Sequence, residues 1–469
     1  MEDNEIPNKK EDDAFLERYD TVLAFLSLEV LCLGSFALGG STGLLIFRIL
    51  GFFLSLITTG YLFKNFSLEE KNRYWVRLVP FIVLCLLFGI SRFFLTNNSS
   101  VLSGLISGLA VSVGLFGFFL LGQGVKSIPS LKKDIILLCL GGTLALMAVI
   151  PGLYSLIRYG FFYAQKYEGM VYYYDGVVFK IADETKALNG FSFAEISLSS
   201  GKFAAFLLSL AAIPAMFVSP KKDTKRFLIY LAFGLLGLID LLVVPFWKAL
   251  ILVLAIYVLA AIYRVLLYVL IAKKNAQKTA DLICKIIFYV LIGLVATGVL
   301  VLVIDALTDA IFSNFPIASI RNSRSSGILS RIAKSIRAVF WQDGSFNFLG
   351  ILFGVNSGYA DTSLLTRAFE ISIIWENGFL AFFFFLFCVF FTLRECRYFL
   401  NKDSSSTDYK VAIVALLLGL FLYGSLFNDE FPYLHANIFS PWSRSSYPLL
   451  ACFLCGLVYT HKHEEAKHE

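Results

Sequence analysis

Residues 305–375 read DALTDAIFSNFPIASIRNSRSSGILSRIAKSIRAVFWQDGSFNFLGILFGVNSGYADTSLLTRAFEISIIW, the longest polar interruption in a chain otherwise built from apolar runs. The first half of the stretch carries Arg321, Arg324, Arg331, Lys334 and Arg337. Its placement depends on what surrounds it. Of 469 residues, 58% are hydrophobic and 16% charged, with a mean hydropathy of +0.75. Soluble domains carry about 45–50% apolar and about 25% charged residues, so this composition points to a polytopic membrane protein. Apolar runs near the roughly 20 residues needed to cross a bilayer recur throughout.

Each such run is expected to be a helix, because a lipid-embedded backbone must satisfy its own hydrogen bonds. The expected spans are 21–40, 42–63, 78–95, 101–123, 135–157, 202–219, 227–244, 249–272, 286–304, 373–393, 411–427 and 446–460. This is an all-α integral membrane fold of about twelve transmembrane helices with two large outward-facing loops. The connections KNFSLEEKNRYWVR, GVKSIPSLKKD, PKKDTKRF, KKNAQKTADLICK and RECRYFLNKDSSSTDYK are rich in Lys and Arg. The short connections NNSS near Asn97 and PFWK near Lys248 carry almost none. Positive charge stays inside, so both termini are expected in the cytoplasm. The polar start, MEDNEIPNKKEDDAFLERYD, leads straight into a full-length span and is not read as a cleavable signal peptide.

The chain then divides into a cytoplasmic tail (1–20), spans one to five (21–157), a first large outer loop (158–201), spans six to nine (202–304), a second large outer loop (305–372), spans ten to twelve (373–460) and a cytoplasmic tail (461–469). A shorter outer loop covers 428–444. No repeat relates the two halves, which weighs against a transporter. The eight cysteines lie in apolar runs or inner loops, so no disulfide framework is expected. Cys452 and Cys455 form a C-x-x-C without His or acidic partners and read as packing residues.

The second loop is therefore basic on the outer side, against the usual rule. From Arg324 to Trp341, Ile328, Leu329, Ile332, Ile336, Val339 and Phe340 share one helical face, and Arg331, Lys334 and Arg337 share another. Such a helix lies at the membrane surface with its basic side towards headgroups. One reading is an interfacial helix holding anionic lipid. The other is a diphosphate site, for which the planar guanidinium fork is suited. Gly350, Gly354 and Gly358 follow, permitting tight turns and close backbone approach, although no phosphate-loop motif is present. Beyond them lie Asp361, Arg367, Glu370 and Glu376. Asp361 or Glu370 is a candidate base for an incoming sugar hydroxyl, whereas Glu376-Asn377-Gly378 is expected to cap or bend the next span.

Arg158 opens the first loop at headgroup depth, followed by tyrosines and phenylalanines suited either to an interfacial belt or to sugar faces. Arg48, Arg92 and Asp240 map to the outer half of their spans and are candidates for an outward-opening cavity. Buried ion pairs, such as Arg92 with Asp240, are the alternative. Lys248 sits at an outer end, Glu29 near mid-depth, and Arg264 towards the inner end, where it snorkels. His435 and the tail group at 461–469 do not form a ligand cluster, and no metal or other cofactor is expected.

The topology, with LSRIAKSIRAVFW, FNFLGILFGVNSGY and RAFEISIIWENGFLAFFFF in sequence, resembles the bacterial O-antigen polymerases, which share a superfamily with the O-antigen ligases. The motif part of the resemblance covers residues 327–385. It implies a GT-C-like membrane glycosyltransferase of the bacterial inner membrane, active on its outer face. That enzyme, metal-independent, would polymerise undecaprenyl-diphosphate-linked repeat units into O-antigen or a related surface polysaccharide. The resemblance assigns the diphosphate to Arg331 and Arg158, with Arg321 and Arg324 nearby. Its implied partners are the lipid-linked glycan, membrane lipids and a chain-length-regulating co-polymerase; nucleic acid is not among them. Ligases carry a histidine before the tenth span where this chain has Arg367, which favours polymerase over ligase. A lipid-linked oligosaccharide flippase is the other alternative.

Overall fold

The computed structural model describes residues 68–95, 101–127, 133–159, 198–243, 247–271, 341–342, 345–354, 369–401, 407–427 and 447–459, with isolated helical positions at 53, 56 and 57. The expected spans 21–40, 42–63 and 286–304 lie outside these residues, apart from those isolated positions. The described part is helical: α1 (Leu68–Leu95), α2 (Val101–Ser127), α3 (Lys133–Tyr159), α4 (Leu198–Ser209), α5 (Ala212–Ala215), α6 (Thr224–Val243) and α7 (Trp247–Ile271). After them come α8 (Phe348–Phe353), α9 (Phe369–Asn401), α10 (Thr407–Phe427) and α11 (Tyr447–Val458). A two-residue antiparallel pair, β1 (Trp341–Gln342) with β2 (Ser345–Phe346), is a local hairpin in this helical fold.

Helix boundaries depart from the apolar runs where something other than lipid solubility sets them. α1 starts at Leu68, ten residues before the expected span. The expected span 202–219 is instead two pieces, α4 and α5, separated by the turn at Leu210 and Ala211. Every residue from Phe203 to Ser209 is at most 1% exposed. A helix buried on all sides reads from sequence like a membrane span, because both are apolar all round.

α4 is the hub of one half of the bundle, enclosed by α3, α6, α7 and α10. The other half packs α2 between α1 and α11, with α9 against α1. α10 joins the halves, touching α9 and α11 on one side and α3, α4 and α5 on the other. Small residues set the closest approaches. A Cβ on Gly89 of α1 would lie 2.6 Å from the Gly108 carbonyl of α2, and Ser112 Oγ donates to the Cys85 carbonyl at 2.8 Å. Gly122 and Gly456 bring α2 and α11 together so closely that a methyl group on either would overlap the facing backbone. Gly234 and Gly237 of α6 meet Ala212, Ala205 and Ser209 in the same way. Such small-residue contacts characterise helices that associate by close packing.

Gly122→Leu or Gly456→Leu is expected to force these helices apart and to cost about 3 kcal/mol by overpacking. A thermal unfolding scan of the purified variants in detergent checks this; an unchanged midpoint would show that the α2–α11 contact tolerates expansion.

The contacts also sort the helix ends. Tyr230 Oη donates to Asp408 Oδ2 at 3.2 Å, and Arg226 Nη1 lies 3.8 Å from the same oxygen. Leu137, Val218, Tyr230 and Ala412 pack in one cluster. Gln123 Nε2 donates to the Tyr459 carbonyl at 3.1 Å, and Phe399 meets Tyr409 edge-on at 6.3 Å. The described helix ends that border the basic connections, at 124–127, 133–134, 220–227, 394–401 and 407–410, thus flank one end of the bundle, where Asp408 and Lys410 are buried. At the opposite end α8 and the start of α9 pack on the end of α1.

Large apolar side chains point outward from α6 and α7, including Ile251 (68% exposed), Leu259 and Leu254. Exposed apolar area on this scale needs cover. Among the described residues, the segment Asn377–Cys396 is by itself long and apolar enough to cross a membrane, and shorter apolar segments occur in α1, α2, α3, α7 and α11.

Candidate functional site

The end of the bundle away from the basic connections is built around a broken helix. α9 runs from Phe369 to Asn401, but Gly378 has φ 81° and ψ 173° in the middle of it. That backbone region is essentially reserved for glycine. The Asn377-Gly378 dipeptide therefore ends one helical piece and starts another. The expectation that this triplet bends the span is met as an outright break.

What fills the break is α8. The sequence suggested a turn region across FNFLGILFGVNSGY; the structure instead makes Phe348–Phe353 a six-residue helix. Asn347 caps it, its side chain accepting from the Gly350 N–H at 2.8 Å. A short helix with a local cap does not need the long apolar period that identifies helices in sequence. α8 ends at Gly354 (φ 90°, ψ 176°), and the rest of the expected turn region, Gly358 included, lies outside the described residues. The last turn of α8 presses on Gly378: a Cβ at that position would overlap the Leu352 carbonyl and lie 2.6 Å from the Phe353 nitrogen. Gly350 is buried, and Ile351 and Phe353 pack on the main core, whereas Phe346, Phe348 and Leu349 stand out from the surface.

The third wall is the end of α1. Ser91 is fully buried; its hydroxyl donates to the Leu87 carbonyl at 2.8 Å, with the Asn377 carbonyl 3.4 Å away. Asn377 is 1% exposed, and among the described residues neither its Nδ2 nor its Oδ1 has a hydrogen-bond partner. A buried amide left without a partner costs about 1–3 kcal/mol, so Asn377 is a candidate polar group at the helix break.

The expected site residues fall unevenly around this frame. Arg92 follows Ser91 on α1, so its backbone position is at the broken end. Glu370 lies in the first turn of α9, two helical turns before the break. Arg158 is the second-to-last residue of α3, and Asp240 is half-buried on α6. The side chains of Arg92, Arg158 and Glu370 are outside the described residues, as are Arg48, Arg321, Arg324, Arg331 and Asp361 altogether. The alternative pairing of Arg92 with Asp240 involves a side chain outside the described residues. Arg264 is exposed on α7, where snorkelling was expected. Sequence reasoning missed Ser91 and Asn377 as buried polar groups; the available signals were a serine beside an arginine in an apolar run and an Asn-Gly pair within a span.

Comparison of the chain with protein-family models, with curated proteins and with solved structures finds no match in any of the three.

Proposed function

We propose that the chain is a multi-pass protein of the bacterial inner membrane, with about twelve spans and a GT-C-like arrangement. In this reading it polymerises undecaprenyl-diphosphate-linked oligosaccharide repeat units on the outer face. The observation that carries it is the break at Asn377-Gly378, with the backbone of α8 pressed into it. Irregular backbone at membrane depth is tolerated where it is buried in protein or lines a cavity. Here the break lies on the end away from the basic connections, between the last part of the second large loop and α1. The exposed Phe346, Phe348 and Leu349 beside it offer apolar surface to a polyprenyl chain.

The chemistry follows from the residue types. Arg331 and Arg158, with Arg321 and Arg324 close by in sequence, hold the diphosphate of the donor. As the glycosidic bond to phosphate breaks, negative charge grows on the departing diphosphate, and fixed guanidinium groups stabilise it. Glu370 or Asp361 accepts the proton of the attacking sugar hydroxyl on the acceptor unit. Positioning of the two lipid-linked substrates supplies the rest of the acceleration.

The broken helix also favours a second reading, because discontinuous helices form substrate sites in transporters. A lipid-linked oligosaccharide flippase would use the same donor without joining it to anything. Purified protein incubated with synthetic undecaprenyl-diphosphate repeat units separates the two. A ladder of products is expected; recovery of the single unit alone overturns the polymerase reading.

A further inference from the structure

The break in α9 leaves a helix N-terminus facing away from the basic connections. With Gly378 at φ 81° and ψ 173°, the residues after it start a new helical piece. The N–H groups of Phe379, Leu380 and Ala381 therefore have no acceptor one turn earlier, as at any helix start. This inner piece runs on to Asn401, long enough for its aligned peptide dipoles to place partial positive charge at that end.

The apolar segment that follows sets the depth of this point. Asn377–Cys396 is long and apolar enough to cross a membrane, and it rises about 28 Å at 1.5 Å per residue. A hydrocarbon core is about 30 Å thick. With Cys396 beside the basic connections, Asn377 and Gly378 lie at the outer edge of that core, the level at which the phosphates of a lipid sit.

The residue beside this helix start supplies a second, independent observation. Asn377 is 1% exposed, and among the described residues its Nδ2 has no acceptor and its Oδ1 no donor. α8 closes over the same point, with the Leu352 carbonyl and the Phe353 nitrogen against Gly378. It is a compact cover: six residues long, capped by its own Asn347, and ended by Gly354 at φ 90°. Because Gly378 has no side chain, α8 seats there without interdigitating.

We propose that the break is a phosphate site under a movable cover. When α8 lifts, a phosphate oxygen of a lipid-linked diphosphate is received by the N–H groups of Phe379 and Leu380 and by Asn377 Nδ2. The inference rests on the membrane reading and on a lipid-linked diphosphate as substrate, but not on polymerisation. It accounts for a buried amide without a partner in the closed form, since the partner arrives with the ligand. Half-helix N-termini of discontinuous spans receive anionic substrate groups in the same manner.

Native mass spectrometry of the detergent-purified full chain, titrated with undecaprenyl diphosphate, undecaprenol or phosphatidylglycerol, tests this. Undecaprenyl diphosphate is expected to bind about tenfold more tightly than undecaprenol, and phosphatidylglycerol not to displace it at equal concentration. Asn377→Ala is expected to weaken diphosphate binding about tenfold and to leave undecaprenol binding and the thermal midpoint unchanged, because the amide it removes has no partner in the closed form. A residue that only held the fold would lower the midpoint and the binding of both lipids together. Asn347→Ala tests the cover: without its cap α8 seats less firmly, more of the chain is open, and diphosphate affinity is expected to rise about fivefold. Equal binding of the diphosphate and the alcohol by the unsubstituted chain overturns the proposal. So does displacement by phosphatidylglycerol, undiminished diphosphate binding in Asn377→Ala, or an affinity that fails to rise in Asn347→Ala. Should Asn377→Ala aggregate, Asn347→Ala decides alone. Formation of a product ladder is scored separately: binding without a ladder removes the polymerase reading and leaves the phosphate site standing, whereas a ladder without diphosphate preference does the reverse.

Discussion

Cells carrying Arg331→Ala or Arg158→Ala are expected to lose long-chain glycan while keeping a single repeat unit on the lipid core. The reasoning is electrostatic. A leaving diphosphate concentrates charge, and a preorganised cation aimed at developing charge contributes about 3–4 kcal/mol, or roughly a hundredfold to thousandfold in rate. Arg331→Lys separates charge from shape: lysine keeps the cation but not the planar fork that grips two phosphate oxygens at once. Partial chain growth in Arg331→Lys, against none in Arg331→Ala, is the expected order on a glycan gel. Loss of the single unit along with the polymer points to flippase or ligase, since polymerisation is not needed to deliver one unit. Retention of full-length chains in both alanine variants removes the arginines from the diphosphate site.

The helices of the bundle were legible because their apolar runs are long, and long periodic segments leave little choice of structure. The burial of α4 was not. Phe203 to Ser209 is as apolar as a lipid-facing helix, and only its neighbours reveal that protein rather than lipid surrounds it. α8 was hidden for the opposite reason: six residues capped by Asn347 and stopped by Gly354 look like a glycine-rich turn. At the candidate site, Asn377-Gly378 was visible as a bend, because an Asn-Gly pair interrupts helix propensity wherever it falls. That α8 would be the partner filling the bend, and that Ser91 would sit beside it, depends on contacts distant in the chain. The pairing of the basic ends through Tyr230 and Asp408 is equally non-local; charge counting places those loops on one side without saying which residues touch.

Gly378→Ala is expected to be among the most damaging single-methyl changes in the described part of the chain. Two costs combine. At φ 81° and ψ 173° a residue with a Cβ is strained by about 1–3 kcal/mol. The added methyl also meets backbone rather than a flexible side chain, overlapping the Leu352 carbonyl, so relief requires moving α8 as a unit. Together these imply a loss of about 3 kcal/mol or more, within the range reserved for strained or overpacked sites. Gly142→Ala provides the contrast. Gly142 lies within α3, and among the described residues a Cβ there meets nothing within 4 Å. In a helix interior that exchange favours alanine by about 0.5–1 kcal/mol. Thermal unfolding of both variants in one detergent should therefore move the midpoint in opposite directions. If Gly378→Ala unfolds at the temperature of the unsubstituted chain, α9 can run straight through Asn377, and the break is not a fixed part of the fold. If it unfolds lower and also loses product formation in the fraction that remains folded, the seat of α8 against Gly378 is coupled to the chemistry at that end of the bundle.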